Sequence, residues 1–192
     1  MRRAIFAIAL VTLGLLTLGL GIASAQDIYK VNYFSNANTS GAPDATVRID
    51  NPGVTYDLVC AFIYVFDNDQ QLSECCGCKE TPDGLRTLSV NKDLTSNPLT
   101  GVKSTNGVIK VVSGINFDVA PCDPTTDILF GPNVRVWATH IQNKVGSAFP
   151  ITETESSNSA ISDGEAGGLE SQCLFVNILG SGHGICSCGT GD

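Results

Sequence analysis

Histidine is nearly absent from this chain: of 192 residues, only His140 and His183 carry an imidazole. A catalytic centre built on histidine therefore has few possible arrangements. No serine sits in a G-x-S-x-G elbow, and Gly180-Ser181-Gly182 falls short of one. Basic residues are also scarce, 11 Lys and Arg against 19 Asp and Glu, for a net charge of −8. Such a surface repels phosphate backbones and excludes nucleic acid as a partner. One tryptophan, Trp137, and four tyrosines leave little of the aromatic platform that a sugar binder often carries. After residue 25 no apolar run reaches 18 residues, so no later segment reads as a membrane-spanning helix. There is no internal repeat.

The first 25 residues, by contrast, are strongly patterned. Arg2 and Arg3 precede an uncharged, Leu-, Ile-, Val- and Ala-rich run from Ala4 to Ala23, and Ala23-Ser24-Ala25 supplies small residues where a signal peptidase cuts. The reading is a cleaved secretory signal peptide. Its rivals are an uncleaved anchor, since the run is long enough to span a bilayer, and a twin-arginine leader, of which only the paired arginines are present. Two of the 11 basic residues and none of the 19 acids lie in the leader. The mature chain, residues 26–192, is thus expected to be one acidic domain, exported to the periplasm or the extracellular space, with no membrane span of its own.

Eight cysteines follow: Cys60, Cys75, Cys76, Cys78, Cys122, Cys173, Cys186 and Cys188. An even count in an exported chain implies disulfides, although eight cysteines allow about 105 pairings. Neighbours such as Cys75 and Cys76 cannot bond to one another without strain, so each is expected to find a partner elsewhere. Cys186 and Cys188, two apart, share a face if the segment is extended. A helix followed by a short Gly-rich return would bring Cys173 to Cys186 or Cys188. The alternative is a thiolate cage for zinc or copper(I), made by Cys75-Cys76-Gly77-Cys78 with Cys186-Ser187-Cys188, or a redox pair across Cys75 and Cys78.

Between these landmarks, short alternating apolar runs are divided by Asn, Gly, Pro, Asp and Ser. Strands are expected over residues 27–34, 45–50, 70–76, 85–90, 108–113, 134–142 and 149–154. Leu58 to Phe66 (LVCAFIYVF) is almost continuously apolar, the pattern of a strand buried on both faces. Residues 91–107 and 115–131 read as loops. Seven or eight short strands at this spacing indicate a mainly β fold, an antiparallel β-sandwich of immunoglobulin-like or jelly-roll-like kind. The end of the chain differs. Ser162 and Glu165 form a capping box ahead of Leu169, Cys173 and Val176, which predicts a helix over 162–179.

The segments VNYFSNANTSGAPDATVRIDNPG, CAFIYVFDNDQQLSECCGC, TPDGLRTLSVNKDLTSNPLTG and QCLFVNILGSGHGICSC resemble a group of exported, cysteine-containing, β-rich proteins of soil bacteria. The resemblance implies a bacterial source and an extracytoplasmic location, and it carries no catalytic or binding residues. The candidate sites therefore come from the residues themselves. Asp67, Asp69 and Glu74 are the candidate calcium ligands, being carboxylates clustered around a turn. His140 lies on a predicted strand, and His183 beside the Cys186 node. Asn38-Thr39-Ser40 is a formal glycosylation sequon. No catalytic residue and no cofactor are expected. The chain is expected to be an exported structural or binding protein with an unidentified extracytoplasmic ligand or protein partner. The alternatives are a secreted hydrolase using paired carboxylates and a thiolate metal-binding or redox module.

Overall fold

The computed structural model describes residues 29–54, 58–97, 101–115, 121–126, 131, 134–180 and 186–188. The expected leader, His183 and the Ser181-Gly182 dipeptide lie outside them. Among the described residues the backbone forms nine strands: β1 (Tyr29–Phe34), β2 (Thr46–Asp50), β3 (Val59–Asp67), β4 (Leu72–Glu80), β5 (Leu85–Ser89), β6 (Gly107–Ile115), β7 (Arg135–Ile141), β8 (Ile151–Glu155) and β9 (Ser157–Ser159). One helix follows, α1 (Asp163–Gly180). The strands make two antiparallel sheets, of order β4-β3-β6-β1-β9 and β5-β2-β7-β8. This is the expected mainly β, sandwich-like architecture with a C-terminal helix. The additional strand, Ser157–Ser159, is three polar residues long and carries no alternation by which it could be recognised.

Side-chain alternation explains how the layers stack. On β3, Val59, Ala61, Ile63 and Val65 point between the sheets. They meet Ile109 and Val111 of β6, and Val47, Ile49, Leu88, Val136 and Ala138 from the second sheet. The intervening Cys60, Phe62 and Tyr64 point the other way, into a second core closed by Leu169 and Cys173 of α1. All seven residues from Val59 to Val65 are buried, which is why this run has no polar positions. Tyr64 donates its hydroxyl hydrogen to the carbonyl of Pro124 (3.1 Å), so its one polar atom is satisfied within the second core.

The helix begins where the sequence places it. Ser162 Oγ accepts from Glu165 N (3.2 Å). The Glu165 carboxylate does not turn back to complete the box; it takes Lys110 Nζ of β6 (2.7 Å), which ties the first turn to the sheet. The expected loop after β5 contains a single π-helical turn, Val90–Leu94. Ser89 Oγ accepts from Lys92 N (2.9 Å) and Asp93 Oδ2 accepts from Ser89 N (2.7 Å), while Val90 and Leu94 are buried. The polar Asn91-Lys92-Asp93 between those two anchors is what makes the segment read as a loop.

All eight cysteines are paired, as Cys60–Cys122, Cys75–Cys173, Cys76–Cys186 and Cys78–Cys188. Cys173 therefore bonds to β4 rather than to Cys186 or Cys188. The reason is the strand geometry. Adjacent Cys75 and Cys76 face opposite sides of β4, so Cys75 meets the helix, while Cys76 and Cys78, two apart, meet the similarly spaced Cys186 and Cys188. The tail runs beside β4 in the same direction. Ser187 N donates to Asp93 O (2.9 Å), and Arg86 of β5 donates to the carbonyl of Cys188. Three residues thus bridge edge strands of both sheets and cover an edge that would otherwise be open to pairing.

Two glycine substitutions test this packing in opposite directions. A Cβ on Gly77 would lie 2.0 Å from the carbonyl oxygen of Cys122, whereas one on Gly167 would meet nothing within 4 Å. Gly77→Ala is expected to lower unfolding stability by about 3 kcal/mol or more. Gly167→Ala, within α1, is expected to raise it by up to about 1 kcal/mol. Denaturant titration under non-reducing conditions measures both, and a Gly77→Ala protein as stable as wild type would contradict this packing.

Candidate functional site

A cleft forms where α1 passes over the β3–β4 hairpin. The hairpin turn is shaped by Asp67, whose Oδ1 accepts from Asp69 N (2.9 Å) and Gln71 N (3.0 Å). Gln70 completes the reversal with φ of 65°. Immediately beyond, the register shifts: Val65 pairs with Glu74 and Phe66 with Leu72, which leaves Ser73 as an extra residue. Ser73 Oγ donates to Val65 O (3.0 Å) and closes this bulge. A bulge re-aims the side chains on either side of it. Here Leu72 joins the helix-side core while Glu74 is fully buried.

The Cys75–Cys173 bond fixes the helix above this turn. Ser171, Gln172, Phe175 and Val176 form one wall, Gln70, Gln71, Leu72 and Ser73 a second, and Asn97, Val102 and Ser104 a third. They enclose about 720 Å³, within the usual size of small-ligand clefts. Phe175 and Val102 are 63% and 67% exposed, two of nine large apolar side chains that the described residues leave open to solvent. Among the described lining residues Asp67 is the one ionisable group, and there is no lysine, arginine or histidine.

The predicted calcium ligands do not converge. Asp67 is occupied with the turn amides, Asp69 is exposed, and Glu74 Oε1 accepts from Asn97 N. Among the described residues, the group of side chains close enough to hold a metal is Cys76, Cys78 and Cys188, with sulfurs within 4.8 Å of one another. All three are in disulfides, so the anticipated cage offers no thiolate in this state. His140 is fully buried, stacked on Tyr33 with ring centroids 4.0 Å apart, and its Nε2 lies 2.7 Å from Thr154 Oγ1. Burial holds its pKa below the usual imidazole value, against a smaller opposing effect of the Tyr33 backbone. It is a neutral packed group with no carboxylate hydrogen-bonded to it. The sequon asparagine is likewise committed, with Asn38 Nδ2 donating to Thr95 Oγ1 and Ser104 O, both at 2.9 Å.

The cleft itself was not found by motif. Its trace in the sequence is the run LFVNI within α1, which is apolar on more than one face of a helix. Val176 is turned inward, whereas Leu174, Phe175 and Ile178 stay outward. No family model, no curated protein and no solved structure matches this chain.

Glu74 links the cleft to pH. Its carboxylate is buried, Oε2 has no hydrogen-bond partner among the described residues, and burial raises its pKa to about 7 against a partial lowering by the Asn97 N–H. The folded state therefore holds a proton that the unfolded state releases near pH 4.5. The stabilisation is complete below about pH 4.5 and is lost as pH rises to 7, by roughly 3 kcal/mol. His140 acts in the opposite sense, adding stability as pH rises toward 6.5. Glu74→Gln keeps an oxygen for Asn97 and cannot ionise. Its unfolding midpoint is expected to exceed that of wild type at pH 8 and to differ little at pH 4.5; parallel curves for the two proteins would refute the assignment.

Proposed function

We propose that this is an exported, non-catalytic binding module of the cell envelope or extracellular space, with the cleft between α1 and the β3–β4 hairpin as its ligand site. Three features support export. The leader has the charge, apolar run and small-residue site of a signal peptide, the eight cysteines are fully paired, and no helix among the described residues is long and apolar enough to cross a membrane. Disulfides of this kind persist in oxidising compartments.

The observation that carries the binding reading is the cleft. It lies beside the Cys75–Cys173 cross-link and leaves a phenylalanine open to solvent. Binding sites are characteristically concave, largely apolar and provided with a few polar groups, and a preformed wall limits the ordering cost of binding. The hydrolase alternative needs two carboxylates facing each other across a substrate, whereas the described lining offers Asp67 alone.

The test compares mature protein with Phe175→Arg in pelleting assays against insoluble cell-wall and extracellular-matrix preparations. Wild type is expected in the pellet and the variant about tenfold less so, with equal unfolding midpoints because Phe175 is exposed. Equal pelleting would remove the cleft from the proposal, and soluble fragments accumulating with time would replace binding by hydrolysis.

A further inference from the structure

From the lining of the cleft we infer the class of its ligand: a short, uncharged oligosaccharide. This rests on the cleft being the binding site. Its chemistry then excludes most alternatives. An anionic ligand such as a phosphate, sulfate or uronate calls for a cationic partner, and no described lining residue is cationic in a chain whose net charge is −8. A cationic ligand calls for converging carboxylates, and the single one, Asp67, already accepts two turn amides through Oδ1.

What remains is a set of side-chain amides and hydroxyls, Gln71, Gln172 and Ser104 among them, between apolar surfaces. Amides and hydroxyls both donate and accept, which matches a ligand whose own hydroxyls do the same in several directions at once. The ring of Phe175, exposed and part of the same cleft as Val102, offers the apolar surface that the C–H face of a pyranose covers. The sequence is poor in tryptophan and tyrosine, and this phenylalanine takes the platform role instead.

A peptide fits less well. An extended peptide adds to an open sheet edge, and an amphipathic helix seeks a continuous apolar groove. The cleft walls interleave polar with apolar groups and so present no continuous apolar groove.

Uniformly nitrogen-15-labelled mature protein, titrated with cellohexaose, xylohexaose, laminarihexaose and mannohexaose, provides the test by amide chemical shift. Hexagalacturonate and an uncharged amphipathic peptide are titrated in parallel. At least one neutral hexasaccharide is expected to move the amides of Gln70 to Ser73 and of Ser171 to Val176. Phe175→Ala and Gln172→Ala are each expected to weaken that binding about tenfold, while Asn143→Ala, an exposed amide outside the cleft, leaves it unchanged. Cleft shifts with hexagalacturonate that exceed those with every neutral sugar would overturn the ligand class. So would cleft shifts with the peptide and none with a sugar, although the binding module would stand. If no probe moves a cleft amide, both the ligand class and the cleft as a binding site fall.

Discussion

The alternation of side chains along β4 is the constraint from which most of this structure follows. One strand carries three cysteines in four positions, and its pleat sends the first to one face and the other two to the opposite face. The Cys75 side receives the helix. The Cys76 and Cys78 side receives the tail, which reaches across to β5 and the π-helical turn. That division gives both the outer layer and the seam between the sheets a covalent anchor. Three of the cross-links span 98, 110 and 110 residues; the first such loop restricts the unfolded chain by about 5 kcal/mol, and because the loops are nested the others add less. A domain cross-linked in this way needs little else from its C-terminal segment, and so α1 tolerates three glycines in its first half and an apolar outer face.

The same anchoring explains the position of the cleft. Cys173 holds the helix against the sheet core at one point, and a bulge at Ser73 lies at the base of the hairpin turn. Cleft walls therefore come from three separate stretches of chain, and their spacing is set by a disulfide and a strand irregularity rather than by mobile side chains. Glu74, fully buried, is two and four residues from Cys76 and Cys78 along β4, and its single described hydrogen bond reaches the wall residue Asn97.

Much of the fold was legible from residue patterns. Alternation located the strands to within a few residues, the uninterrupted LVCAFIYVF run identified the strand buried on both faces, and Ser162 marked the start of the helix. The strand β4 proved longer than expected, extending through Cys78 to Glu80, because its buried cysteines and glycine do not look like a strand's usual apolar side. The site was far less legible. Asp67, Asp69 and Glu74 are close in sequence, but the first accepts turn amides, the second is exposed and the third is buried. His140, taken alone, is a candidate base; in the folded chain it is stacked, buried and neutral.

By itself, then, the sequence determined the local features: strand and helix periods, the even count of cysteines and the net negative charge. These depend on residues within a few positions of each other. Tertiary structure alone decided which cysteines meet, where the tail runs and which side chains face one another across the cleft. Those outcomes depend on the pleat, the bulge and the packing of the two sheets, which bring together positions some 100 residues apart, and no local pattern encodes a distance of that kind.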